Sequence, residues 1–231
     1  MLTLFLFLIP LIGGLLVINL KSQKSAKMFS GIVSVLQIFL YIYIFINFNN
    51  PDFQSQFSYD YKWLSDFDIR FHLGLDGLSI LMAGLTVVLS AIVLYFTSTM
   101  NYGKLSLFSG LIFFTESALL GLFMAKDIFV FYFFFELALI PIYFMANIWG
   151  GKNSSAITFK MFIYTVFGSL FMLIGFVFLF MRGQTADISA LKETVALLPE
   201  GLKAFLFWGF LLAFAIKMPI FPFHTWQPDV Y

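Results

Sequence analysis

The sequence predicts an all-α polytopic membrane protein with about seven transmembrane helices. Hydrophobic residues make up 61% of the 231 residues, charged residues make up 11%, and 34 residues are phenylalanine. The apolar residues gather in runs of about 20, the length that an α-helix needs to cross a hydrocarbon core of about 30 Å. These runs imply the lipid bilayer as a partner, whereas a formal net charge of +1 without a basic stripe argues against a nucleic-acid partner.

Hydropathy divides the chain into seven predicted spans within a single membrane domain, 1–231. The first apolar run has no basic n-region and no small-residue cleavage site, so we expect a retained helix and not a signal peptide. The last span contains two prolines and is predicted to be discontinuous. The predicted spans are 2–20, 28–47, 78–98, 105–125, 128–149, 157–181 and 203–223.

The loop between the second and third spans contains a predicted short external β-hairpin. Apolar and polar residues alternate on both sides of a turn at Leu64-Ser65-Asp66, and this period of two is typical of paired strands. His72 falls within the pattern and is interpreted as a hairpin or surface residue. Asp76 precedes the third span and is a predicted N-cap. The alternating residues are Tyr59, Tyr61 and Trp63, then Phe67, Ile69, Phe71 and Leu73.

The distribution of lysine predicts the orientation. The two sides carry equal numbers of basic residues, but on one side these lie in or beside short loops that contain no acidic residue. Basic residues in short loops near span ends mark the cytoplasmic side. We therefore expect Met1 outside the cell and the seventh span running inward. The lysines of the predicted cytoplasmic side are Lys21, Lys24, Lys27, Lys104, Lys152 and Lys160.

Two glutamates are predicted to lie near the middle of the bilayer. Glu116 precedes Ala125 by nine residues and Glu136 follows Asp127 by nine, so both lie roughly 13.5 Å from the same boundary. A carboxylate at this depth needs a partner or takes up a proton. For Glu116, a neutral side chain hydrogen-bonded by Thr115 and Ser117 is an equal alternative to a place in a proton path. For Glu136, which three phenylalanines precede, a functional role is favoured.

Lys217 stands in the last apolar run and is the second candidate for proton transfer. A charged residue within a span costs roughly 2.5 to 3.5 kcal/mol on insertion scales, so it usually marks an ion or proton path. Pro219 and Pro222 follow it, and we expect a helix break that frees the carbonyls of Ala215 and Ile216 for water or polar side chains. A lysine opposed to a carboxylate can switch charge, although a static ion pair is the alternative.

The chain has no cysteine, which excludes disulfides and cysteine-ligated iron–sulfur clusters. Any redox chemistry therefore belongs to another polypeptide.

Four segments resemble one family of membrane proteins. They are similar to the antiporter-like subunit M of bacterial NADH:quinone oxidoreductase, respiratory complex I, whose mitochondrial counterpart is subunit 4. The segments cover most of the chain in the family's order and spacing. They read HLGLDGLS at 72–79, FFELALIPIYF at 134–144, IWGG at 148–151 and AIKMPIFPFHTWQPD at 215–229.

The resemblance implies that Glu136 and Lys217 are essential to proton translocation and that Lys217 lies on a discontinuous helix. Glu116 and His224 are candidates for a further proton path or for polar partners. NAD, FMN, iron–sulfur clusters and quinone are then expected in partner subunits, with none in this chain. The implied location is the bacterial inner membrane, among the other membrane subunits and below the peripheral redox arm.

Two departures from the family pattern affect these implications. Members of the family have about fourteen spans, and this chain ends at Tyr231 within the seventh, so it looks like an N-terminal portion. Its last residues, 228–231, are closer to the related subunit N. The remaining alternatives are a subunit of a multi-subunit cation/proton antiporter, and a membrane scaffold with structural buried charges.

Overall fold

The computed structural model describes residues 1–49, 55–64, 69–100 and 103–230. Ten helices and two strands follow one another in these ranges. In chain order they are α1 (Leu2–Ile18), α2 (Gln23–Ile46), β1 (Gln56–Leu64), β2 (Ile69–Leu75), α3 (Gly77–Thr99), α4 (Leu105–Met124), α5 (Ile128–Leu137), α6 (Leu139–Trp149), α7 (Ser154–Gly183), α8 (Ile188–Ala196), α9 (Glu200–Lys217) and α10 (Gln227–Val230).

Within the described residues, five helical segments are long and apolar enough to cross a membrane. They are α2, α3, α4, the combined segment Ile128–Trp149 that contains α5 and α6, and α7. Helix α1 is apolar but has only 17 residues, and the 18 residues of α9 include Glu200, Lys203 and Lys217. The protein is therefore a predominantly helical membrane protein, and the count of seven spans stays a prediction.

The structure contains a small two-stranded antiparallel sheet, formed by β1 and β2, and His72 lies half-buried in β2. The N-cap prediction for Asp76 is confirmed, since its carboxylate accepts hydrogen bonds from the amides of Leu78 at 3.1 Å and Ser79 at 2.8 Å. The turn predicted at Ser65 and Asp66, with Phe67 and Asp68, lies outside the described residues.

The chain forms two compact units, and the first comprises residues 1–61 and 71–125. In it, α1 packs against α2 and α4, and α3 also packs against both of these helices. Glycine allows the closest approach: a Cβ atom added at Gly14 would lie 3.0 Å from the carbonyl oxygen of Gly110. The core of this unit includes Val17, Val33 and Phe113.

The second unit comprises residues 62–70 and 126–231. Helix α7 lies at its centre and packs against α5, α6, α8, α9 and α10. The segment predicted as one span at 128–149 is divided at Ala138. The physical reason is Pro141, which has no amide to donate to the carbonyl of Leu137 and whose ring crowds that carbonyl. The sequence pattern had not indicated this division.

Two aspartates cap two helices of this unit side by side. Asp127 accepts from the amides of Phe129 and Val130 at the start of α5, and Asp187 caps α8 in the same way. Their backbones form an antiparallel bridge, in which Ile128 donates to Ala186 and Ile188 donates to Lys126, both at 2.9 Å. Helix α8 lies between the predicted spans 157–181 and 203–223, where the hydropathy pattern predicts no span.

Asp127 is also bound from the strand region, because the backbone amide of Arg70 donates to its second carboxylate oxygen at 3.1 Å. The side chain is almost fully buried. Burial raises the pKa of the Asp127 carboxyl, and the negative charge of Asp187 adds to this, while the three backbone donors act in the opposite direction.

Candidate proton-transfer site

Lys217 is the last residue of α9, and its ammonium group reaches α5. The Nζ atom donates a hydrogen bond of 2.5 Å to the main-chain carbonyl of Phe135. The same atom lies 3.6 Å from the centroid of the Phe135 ring. A single residue of α5 therefore supplies both the acceptor and the aromatic face that bind the charged group.

The division at Ala138 makes this carbonyl available. The last four carbonyls of a helix have no amide donor within that helix, and the Phe135 carbonyl is one of these four in α5. The amide of Ala138 donates to the carbonyl of Phe134, whereas the carbonyl of Phe135 accepts a hydrogen bond from the Lys217 ammonium. The C-terminal end of a helix carries partial negative charge, so a cation is stabilised there.

Glu136 follows Phe135 directly, and its side chain is half-buried. Electrostatic attraction acts between its carboxylate and the Lys217 ammonium. Across the described part of the chain, however, no ion pair within 4.0 Å joins the two groups. Tyr132, one turn earlier in α5, interacts with both Glu136 and Ser169 of α7. Glu136 and Lys217 thus belong to one site but are held apart.

Aromatic rings surround the lysine. The Phe135 ring stacks with Phe131 at a centroid distance of 6.1 Å and meets Phe214 edge-on at 5.9 Å. Phe131 and Phe214 also line an apolar cavity of about 520 Å³ between α5, α7, α8 and α9, with Lys192 at its margin. The ring that faces the ammonium is therefore fixed by other aromatic side chains and is itself buried.

The break after Lys217 is more completely hydrogen-bonded than the sequence suggested. The carbonyl of Ala215 accepts from the amide of Ile220 at 2.8 Å, and that of Ile216 accepts from the indole of Trp226 at 3.0 Å. The expected polar side chain is therefore present at Ile216, whereas the carbonyl of Ala215 is bound by a backbone amide and not by water or a side chain. A backbone turn and a polar side chain supply the partners.

The turn segment that contains Pro219 and Pro222 is attached to neighbouring helices. Trp226 is buried against Leu139 of α6 and Met161 of α7. The carbonyl of Thr225 accepts a hydrogen bond from Lys160 Nζ at 2.7 Å, and the Thr225 hydroxyl donates to the Tyr164 hydroxyl at 3.3 Å. Both contacts reach α7.

His224 lies in this turn segment, next to Thr225. Its Nδ1 atom is buried and has no hydrogen-bond partner in the ranges that the structure describes. Its ring contacts Phe221 at a centroid distance of 5.6 Å. His224 stays a candidate for a further proton path or a polar partner, and the structure assigns no partner to its Nδ1 atom.

Glu116 belongs to α4 in the first unit and is 2% exposed. Its neighbours do not donate to it as suggested: the Thr115 hydroxyl donates to Leu111, and the Ser117 hydroxyl donates to Phe7. Glu116 stays a candidate for a further proton path. The described residues contain no group of three or more His, Cys, Asp or Glu that could hold a metal ion.

The sequence pattern did not indicate three residues of the site. Phe135, Lys160 and Trp226 each bind a group that is distant in the chain, and nothing in hydropathy distinguishes them from other aromatic or basic residues. The available signal for Phe135 was its position, directly before Glu136 and six residues before a proline.

The chain is similar to one group of known membrane proteins. The model for the transmembrane region of NADH:quinone oxidoreductase and Mrp antiporter subunits matches residues 125–231, which include both Glu136 and Lys217. The chain is 35% identical over 235 residues to the NADH-quinone oxidoreductase subunit M of Rickettsia bellii, covering 99% of this chain and 47% of that protein. These matches show that the chain is similar to antiporter-like membrane subunits.

Solved structures agree with this assignment. A chain of respiratory complex I from Thermus thermophilus matches with a TM-score of 0.83 and 32% identity, over 100% of this chain and 46% of that chain. A chain of the Mrp complex from Dietzia sp. matches with a TM-score of 0.85 and 20% identity, over 99% of this chain and 24% of that one, and shows the shared fold. The chain spans about half the length of the curated relatives it matches.

Proposed function

We propose that this chain acts in a proton-translocating membrane subunit of a complex I-type NADH:quinone oxidoreductase. Electron transfer takes place in partner subunits, which hold the NAD, FMN, iron–sulfur clusters and quinone, and this chain carries protons. The chain lies in the inner membrane with seven spans and its N-terminus outside, together with the other membrane subunits of the complex.

One observation supports this function above the others: the Lys217 ammonium is bound at Phe135, the residue directly before Glu136. A lysine and a carboxylate in one site can exchange a proton when their distance changes. When the ammonium approaches Glu136, the pair is ionic. When it returns to the Phe135 carbonyl, the carboxylate is left without a close cation and can accept a proton.

A break beside the lysine suits this role. The helix ends at Lys217, so the side chain is attached next to a turn that the rest of α9 does not constrain. Contacts to Lys160 and Trp226 hold the far part of the turn. We infer that the turn, and not the helix, accommodates the movement of the lysine.

The proposal is tested by Glu136→Gln and Lys217→Ala in the assembled complex. Each variant should leave the complex assembled in membranes and lose most NADH-driven proton pumping, measured as acidification of inverted membrane vesicles. The matched controls are Glu200→Gln and Lys203→Ala, since these two residues form an exposed pair at the other end of α9. Normal pumping in either site variant would contradict the proposal.

The second candidate is a subunit of a multi-subunit cation/proton antiporter, which the joint description of the family model and the fold of the Mrp complex support. Purification of the complex distinguishes the two. Flavin and iron–sulfur subunits that copurify with the chain support the oxidoreductase, whereas an assembly of membrane subunits alone, with cation-driven proton exchange in vesicles, supports the antiporter.

A further inference from the structure

The Lys217 ammonium is bound in a way that a simple glutamate–lysine pair does not require. The oppositely charged carboxylate belongs to the next residue of α5, yet the hydrogen bond is made to the Phe135 main chain. The aromatic face lies at 3.6 Å, well inside the distance of about 6 Å at which a cation is attracted to a ring.

The ring cannot easily turn away from this position. Phe135 is 4% exposed, with Phe131 stacked on it and Phe214 edge-on against it. Rings in these two arrangements attract one another beyond the effect of their burial. The aromatic face is therefore presented to the ammonium by the packing of α5 and α9.

We propose that Phe135 is a positioning residue for proton transfer, whose ring and carbonyl hold the Lys217 ammonium beside Glu136 but apart from its carboxylate. The inference rests on the proposed function. Two binding positions then compete for one cation: the Phe135 position and the ion pair with Glu136. Without the first, the charged lysine has only the carboxylate as a partner and stays in a static ion pair.

The carbonyl and the ring make separable contributions. A side chain substitution at Phe135 leaves the main-chain carbonyl in place and changes only the aromatic face. Fluorine atoms on the ring withdraw electron density from this face at almost constant size, so they weaken the attraction to a cation and preserve the packing. A residue that only fills space would tolerate such a series.

The experiment introduces phenylalanine with one, two or three ring fluorines at position 135 of the assembled complex and measures proton pumping in membrane vesicles. Pumping should fall with each added fluorine, reaching about 5- to 30-fold with three. The matched control is the same fluorine series at Phe129, which lies in the same helix and packs against Phe180 at 5.3 Å.

A graded loss at position 135 with a flat series at position 129 supports the role of Phe135. A flat series at both positions, or an equal loss at both, overturns it. The two proposals fail separately: normal pumping by Lys217→Ala contradicts the proposed function, whereas a flat fluorine series in a complex that Lys217→Ala inactivates contradicts only the role of Phe135.

Discussion

The indole nitrogen of Trp226 donates a hydrogen bond of 3.0 Å to the carbonyl of Ile216, ten residues earlier in the chain. Ile216 precedes Lys217, so the end of α9 is closed by a side chain from beyond the break. Because the indole is also buried against α6 and α7, one residue sets the position of the helix end relative to both helices.

Trp226→Phe should destabilise this end of the second unit. The phenyl ring retains most of the packing but leaves the Ile216 carbonyl without its donor, and a buried unsatisfied carbonyl costs about 1 to 3 kcal/mol. We expect a lower midpoint of thermal unfolding in detergent and reduced pumping. Trp208→Phe is the control, since Trp208 lies in α9 before the break and is 65% exposed. Equal effects of the two substitutions would refute the role of the hydrogen bond.

Pro219→Ala should extend α9 beyond Lys217. An alanine amide can donate to the carbonyl of Ala215, which now accepts from Ile220, and the steric clash of the proline ring is removed. Pumping should fall more than assembly, because a continuous helix fixes the lysine. Pro10→Ala, within α1, is the control for losing a helix proline. A straightened helix with unchanged pumping would show that the break has no part in proton transfer.

Asp127→Asn and Asp127→Ala should differ in stability. Asparagine retains an oxygen that can cap α5 but loses the acceptor for Arg70, whereas alanine loses all three bonds. Removal of a helix cap costs about 0.5 to 2 kcal/mol. We therefore expect unfolding midpoints in the order aspartate, asparagine, alanine at acidic pH, measured in detergent. Identical midpoints for all three would contradict the capping role.

The same carboxyl predicts a pH dependence. Burial raises its pKa above the ordinary value of 3.8, so the folded chain binds this proton more tightly than the unfolded chain. Its stabilising contribution is fully present below about 3.8 and is lost as the pH rises through the raised pKa. Asp127→Asn should remove this component, and thermal unfolding from pH 3 upward measures it. An unchanged pH profile would refute the assignment.

The orientation can be tested directly because the chain has no cysteine. A cysteine in place of Ser22, between α1 and α2, should react with an impermeant thiol reagent only from the cytoplasm, and one in place of Ser189 only from outside. Both positions are exposed. Reversed labelling would invert the proposed topology.

Hydropathy located the helices well because a membrane helix is defined by a local property, the apolar length of its own segment. The ends of α3 and α4 lie within one residue of the predicted boundaries, and the cap at Asp76 followed from its neighbours. The division at Ala138 was missed because Pro141 lies inside a strongly apolar run, which the hydropathy average does not resolve.

The site could be predicted only in part for a related reason. Glu136 and Lys217 stand out as charges among apolar residues, whereas their distance depends on how α5 and α9 pack. The ammonium is bound by a main-chain carbonyl, and every residue has one, so the type of side chain could not indicate Phe135. The hydrogen bond from the Trp226 indole to Ile216 likewise depends on how distant segments pack.

The shortness of α5 has an electrical consequence. Its ten residues extend about 15 Å, half of a hydrocarbon core of about 30 Å, so its C-terminal end and the ammonium there lie near the middle of the transmembrane voltage drop. Moving one elementary charge across the whole membrane changes its free energy by about 2.3 kcal/mol per 100 mV. A proton that reaches Lys217 crosses about half of the voltage drop, so its free energy falls by about half of that amount from one side and rises by as much from the other. Under the proposed function, proton loading of this lysine is therefore a voltage-sensitive step, and a membrane potential built up by proton pumping would oppose or favour that step.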